Sequence, residues 1–336
     1  MKKLVLFVMA VMAFAGMSVA QQDVWSVGYY TDANNRKQVG VFKNNAMQYH
    51  STFNEGYYGE SAALAMYNGV AYWIMNSYKS DGTLNGFYLG KGGNNTYLNA
   101  SGTGTHAYDV VKTESSYTWV VGCKNSSSGV KTAYFWREDS DNSDFSTGFQ
   151  DGNGTYPSEA FGVTYKNGLV RCGYQYTSST AYHGVIWYNG QGHEFANLGD
   201  NIKAYDIVYY NGYFYTVGTY KDGSTLKAKV WRTNIDTGTT YDVYTLQTGV
   251  AEDQQRLKIY IDDAGDIYNV VGYGTERIYK NGQEITNYNS TIYYYTSVVA
   301  NTNGIYYAGG TGSAGKIWKN GSVLYSRSAA WGNIRQ

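Results

Sequence analysis

The sequence predicts an all-β chain, a seven-bladed β-propeller whose C-terminal strand closes the first blade. Three observations carry this. A short β run ending in a small residue recurs along the chain. A second strand signature follows each copy in register. The inner strand missing at the start is found in the last residues.

The first signature reads Trp25–Gly28, Trp119–Gly122, Val170–Gly173, Tyr215–Gly218, Asn269–Gly272 and Tyr306–Gly309, with Tyr72–Met75 a degenerate copy. The second reads Gly40–Asn44, Gly86–Gly90, Ala133–Arg137, Gly184–Tyr188, Lys229–Arg232, Arg277–Asn281 and Lys316–Asn320. Successive copies are spaced by 37 to 54 residues. Propeller repeats run at about 40–50 residues with four strands per blade. Asn-Gly pairs at 167–168, 211–212 and 303–304 predict hairpins from inner to second strand, and those at 281–282 and 320–321 predict turns into the outer strand. Asn-Gly suits the left-handed backbone of such turns. Inner strands carry a small-aromatic-x pattern: Ala107-Tyr108-Asp109, Ala160-Phe161-Gly162 and Ala204-Tyr205-Asp206. Ala330–Arg335 supplies the same pattern for the blade of Trp25 and removes the open edge between first and last blades.

These repeats, with their Lys-Asn-Gly strand ends at Lys280-Asn281-Gly282 and Lys319-Asn320-Gly321, resemble secreted bacterial β-propeller repeat proteins of a largely uncharacterised type. The resemblance spans 23–336 and implies the fold. The WD40 pair and a correctly spaced sialidase Asp box are missing; Ser80-Asp81-Gly82-Thr83 has the wrong spacing.

Residues 1–20 read as a signal peptide. Lys2 and Lys3 precede an apolar run, Leu4 to Ala15, and Ser18-Val19-Ala20 ends in small-x-small. The expected mature chain, 21–336, is one propeller domain, secreted or periplasmic, with no cysteine at the cut to carry a lipid. No later run is long enough for a membrane helix. The formal net charge of +0 argues against nucleic acid as a partner. Cys123 and Cys172 are expected to stay free thiols, since equivalent faces of successive sheets do not meet.

Candidate chemistry lies on the face built by the loops entering the inner strands and those after the glycine signature. Tyr29, Tyr30, Tyr57, Tyr58, Tyr78, Tyr156, Tyr174, Tyr176, Tyr182, Tyr220, Tyr293 and Tyr294 fall there, beside Glu55, Glu60, Glu159, Asp253, Arg256 and Arg327. Aromatic platforms flanked by hydrogen-bonding groups suit sugars and protein hot spots. The expected ligand-binding set is Tyr156, Glu159, Tyr174, Tyr176 and Tyr182, taking a glycan or a protein. The bland reading is that tyrosine simply fills loops in a chain that has 38 of them. His106 and His183 are placed on the same face of neighbouring blades, and with Tyr182 they form the candidate set for a polysaccharide lyase. A glycoside hydrolase would instead need converging carboxylates. The third class is a structural or interaction protein. His50 and His193 fall on outer strands. Asp139–Asp144 lacks the glycine and terminal Glu of a calcium loop, no zinc spacing occurs, and no cofactor or metal is expected. Asp109 and Asp206, within inner strands, read as structural hydrogen bonders.

Overall fold

The computed structural model describes residues 23–34, 36–96, 104–114, 117–138, 145–150, 155–188, 194–250, 257–271, 277–285, 294–310, 314–327 and 330–335. Residues 1–22, Asp139–Asp144, His193, Asp253, Arg256 and Tyr293 lie outside them. Seven antiparallel four-stranded sheets form the blades of a propeller, and no helix occurs among the described residues. The inner strands of blades two to seven are Tyr57–Tyr67, His106–Lys112, Ser158–Tyr165, Ile202–Tyr210, Lys258–Ile261 and Tyr294–Asn301. Blade one takes Ala330–Arg335, which pairs antiparallel with Trp25–Thr31. Each inner strand touches the next around the ring, and the C-terminal strand touches that of blade two.

One register detail departs from the sequence pattern. Gly28 faces Trp331 and Val27 faces Asn333, so Gly332 is the extra residue of a β-bulge. The corresponding extra residues are Tyr108, Phe161 and Tyr205 in blades three, four and five. The sequence pattern had aligned Trp331 with those aromatics; the closing strand is set one residue further on.

The bulge explains the glycine signature. Gly122, Gly173 and Gly218 stand opposite Ala107, Ala160 and Ala204, just before the extra residue. A Cβ at Gly122 would lie 1.8 Å from the His106 carbonyl oxygen, at Gly173 1.9 Å from that of Glu159, and at Gly218 2.2 Å from that of Lys203. The obstacle is backbone, so no rotamer change relieves it. Among the described residues, blade two is the exception, with buried Met75 opposite Ser61.

The Lys-Asn strand ends also have a local cause. Asn44, Asn281 and Asn320 adopt positive φ. Each donates its backbone N–H to the carbonyl of the residue at the start of its second strand, and its side-chain oxygen accepts that residue's N–H: Val24, Ile267 and Ile305. Lys43, Lys280 and Lys319 stand directly across from Trp25, Tyr268 and Tyr306, with ammonium-to-ring distances of 5.5, 5.5 and 5.3 Å. Asn303-Gly304 differs from its expected role: the turn is Thr302–Asn303, because Asn301 already pairs with Gly304.

An apolar cluster fills each joint between neighbouring blades, from Trp25, Val41, Leu64 and Trp73 at the first to Val24, Phe42, Val299 and Ile317 at the last. Polar ties cross the same joints. Asp109 accepts from Val163 N–H of blade four at 3.1 Å, and Asp206 from Ile259 N–H of blade six at 3.0 Å. Both are structural hydrogen bonders. Cys123 and Cys172 are free and buried.

Two outcomes are expected. Gly218→Ala forces backbone apart and lowers stability by about 1–3 kcal/mol, measured by urea unfolding; an unchanged midpoint would show that the bulge is not strained by a Cβ. Deleting residues 329–336 exposes the edge of Trp25–Thr31, giving insoluble protein or a large fall in melting temperature. A truncated chain that melts like the full one would refute closure by this strand.

Candidate functional site

The bulge also places side chains at the loop face. Two residues before the extra residue of blade four stands Glu159, directly across from Tyr174. Glu159 is 7% exposed, and a buried carboxylate needs donors. Three are present. Tyr174 donates its hydroxyl to Oε1 at 2.7 Å, Tyr108 of blade three donates to Oε2, and Lys131 Nζ of blade three lies 3.4 Å from Oε1. Burial first, then nearby negative charge, pushes both phenol hydroxyls well above their usual range. They serve as proton-retaining donors.

Aromatic rings extend from this carboxylate in both directions. His106 stacks on Tyr108 at 4.5 Å, and Tyr108 meets Phe161 at 4.8 Å, which meets Tyr205 at 5.0 Å. On blade four, Tyr176 pairs across the hairpin with Tyr182, their rings 5.2 Å apart, and Tyr174 meets Tyr176 at 5.7 Å. Lys203 of blade five lies over Tyr174 at 5.0 Å and over Tyr182 at 5.5 Å.

Of the residues expected from sequence, the structure brings together Glu159, Tyr174, Tyr176 and Tyr182. Tyr156 precedes the same inner strand and is half-buried. Tyr174 and Tyr182 are only 6% and 8% exposed, so they form a floor, and truncating them would cost folding as well as contact. Tyr176 and Lys131 form the accessible rim. His106 joins the cluster, whereas His183 hydrogen-bonds Glu194 on the outer strand of its blade at 3.1 Å. Neighbours along a strand point to opposite faces, which separates His183 from Tyr182. The three groups of the candidate lyase set are therefore not gathered on one carboxylate, and the phenols of Tyr108 and Tyr174 are held away from the phenolate that a Tyr base requires. His50, on the outer strand Ala46–His50, is exposed. Among the described residues, no group of three or more His, Cys, Asp or Glu could hold a metal ion.

Sequence reasoning missed Tyr108, Lys131 and Lys203 as parts of this site. Tyr108 was legible as the aromatic of the inner-strand pattern. Lys131 and Lys203 carry no local signal, because their roles come from the neighbouring blade.

No family model matches the chain, and no curated protein matches it. Among solved structures it is similar to a Bacteroides fragilis protein provisionally named a 6-phosphogluconolactonase, with TM-score 0.50 and 10% identity over 95% of this chain and 98% of that one. It is also similar to a Hadza microbial sialidase, with TM-score 0.53 and 11% identity over 88% of this chain and 72% of that one. At these identities the likeness is one of propeller fold.

Burial holds His106 neutral, moving its pKa from the usual 6.5 to about 4. Below pH ~6.5 the unfolded state takes up a proton that the folded state refuses, so stability falls as pH drops through this window towards about 4. Denaturant midpoints of the wild type and His106→Gln between pH 7 and 4.5 check this, pH 7 being a neutral reference. The variant is expected to lose less stability on acidification; parallel pH slopes would contradict the neutral, half-buried imidazole.

Proposed function

We propose that the protein is a secreted binding module that takes a glycan or protein ligand on its loop face, over the third to fifth blades. One observation carries the reading. A buried, triply hydrogen-bonded carboxylate lies in a tyrosine floor rimmed by Tyr176, with the Lys131 side chain, 46% exposed, beside it. Tyrosine offers a large stacking surface with a polar tip and only modest side-chain ordering cost, which suits both sugars and protein hot spots. A rim built on strand ends is rigid, so little ordering energy is lost on binding. The propeller neighbours are compatible with a binding or carbohydrate-active protein through their fold alone.

The test is a glycan array run beside an assay for release of unsaturated uronic sugars. The expected outcome is binding without release. Tyr176→Ala and Lys131→Ala are expected to weaken binding by about 1–3 kcal/mol each, with melting temperature little changed. Tyr174→Phe keeps the ring, removes one donor from Glu159, and is expected to cost about 1.5–3 kcal/mol of stability. A ligand whose affinity ignores both rim variants binds elsewhere. Turnover that depends on His106 would replace the binding reading with an enzymatic one.

A further inference from the structure

The carboxylate of blade four has a counterpart two blades earlier. Glu60 stands two residues before the extra residue of blade two, across from Asn76, as Glu159 stands two before Phe161, across from Tyr174. Lys37 opens the third strand of blade one, across from Thr31, three positions past Gly28. Lys131 opens the third strand of blade three, across from Asn125, three positions past Gly122. Each lysine reaches the carboxylate of the next blade: Lys37 Nζ to Glu60 Oε1 at 2.6 Å, and Lys131 Nζ to Glu159 Oε1 at 3.4 Å. The inner strands of blades three and five carry His106 and Lys203 at this register. The Lys–Glu pair thus occurs twice among the described residues, between blades one and two and between blades three and four.

The two copies differ in what covers the carboxylate. Over Glu159 stand Tyr108, the bulge residue of blade three, and Tyr174. The bulge residue of blade one is Gly332. The counterpart of Tyr174 is Asn76, which is buried and turned inward by two bonds of 2.9 Å to the backbone of Ala107. No phenol covers the first copy from either position, and the Glu60 side chain is 45% exposed against 9% for Glu159. Tyr57 and Tyr58, just before Glu60 on the same strand, line a cavity of about 560 Å³ together with Arg36, Glu55 and Ser80 among others. Lys37 Nζ sits 4.0 Å from the Tyr29 ring centre and 5.8 Å from that of Tyr58, and Tyr58 stacks on Tyr78 at 5.2 Å.

We propose that this cavity is an open saccharide subsite, shaped for a neutral hexose within a longer glycan; the inference rests on the loop-face binding reading and moves its accessible centre to blades one and two. A carboxylate accepts from two neighbouring hydroxyls while an ammonium donates to one. The C–H face of the sugar stacks on Tyr58 or on exposed Tyr57. Lys37 is balanced by Glu60 and Arg36 by Asp32, whose carboxylate it meets at 2.8 Å. Glu55 then leaves the cavity without surplus positive charge, which disfavours an acidic sugar.

The experiment is calorimetric titration of the full chain with cellohexaose, mannohexaose, galactohexaose and a galacturonate hexamer at millimolar concentration. At least one neutral hexamer is expected to bind and the galacturonate hexamer is not. Tyr58→Ala and Glu60→Gln are each expected to weaken the neutral hexamer about tenfold or more. Gly332→Tyr, which gives the first copy the phenol that Tyr108 gives the second, is expected to abolish binding. Thermal melts of each variant separate lost binding from lost fold. Preference for the galacturonate hexamer, or no neutral hexamer bound, overturns the proposal. Binding lost in Tyr176→Ala and Lys131→Ala but intact in Tyr58→Ala and Glu60→Gln also overturns it, and leaves the reading centred on Glu159 standing.

Discussion

A bulge in the inner strands governs the rest of this molecule. One extra residue breaks the pairing just past the strand entry, and the local backbone then crowds the second strand so closely that Gly122, Gly173 and Gly218 have no room for a Cβ. The same irregularity throws Tyr108, Phe161 and Tyr205 together across three blades. It leaves Asp109 and Asp206 aimed at amides of the next inner strand. It also fixes one register position, two residues before the extra residue, that holds Glu60, His106, Glu159 and Lys203 on successive blades. Structure and candidate chemistry share one cause.

Because that position belongs to a strand, its chemistry is set by whichever neighbour overhangs it. Glu159 is roofed by two phenols and an ammonium, so its burial is offset by charge-assisted bonds. Glu60 has the same lysine but no roof. Seven-fold repetition does not produce seven equal sites here: each joint between blades combines a strand end from one sheet with an inner strand from the next, and the sequence can vary the two independently. His106, between the two carboxylates, stays neutral because burial outweighs the pull of Glu159 and Glu60.

The fold was legible because it is written several times. Six copies of a glycine-ended strand, a seventh ending in Met75, and a last segment that completes the first unit leave little freedom in topology. What escaped reading was a single-residue offset: Ala330-Trp331-Gly332 mimics Ala107-Tyr108-Asp109, yet Gly332 is the residue that bulges. Side-chain composition cannot reveal a bulge whose position is decided by pairing across the chain's two ends. The site was legible in part. Glu159, Tyr174, Tyr176 and Tyr182 lie close in sequence, on one hairpin pair, and cluster as expected. Lys131 and Tyr108 come from another blade, and their convergence depends on how sheets pack. His183 was misleading because it neighbours Tyr182 in sequence, and strand alternation sends the two apart.

The seam between Trp25–Thr31 and Ala330–Arg335 joins segments about three hundred residues apart. Looping a chain of that length costs about 5 kcal/mol in entropy, and nothing in blade one can repay it until the last strand is present. Ring closure is therefore a late event in folding, and a growing chain remains an open arc with one unsatisfied edge. The paired segments run antiparallel, with Trp25 beside Arg335. Tension applied to the two ends would accordingly part them one hydrogen bond at a time, as a zipper, whereas the other blades would be loaded only after the ring had opened.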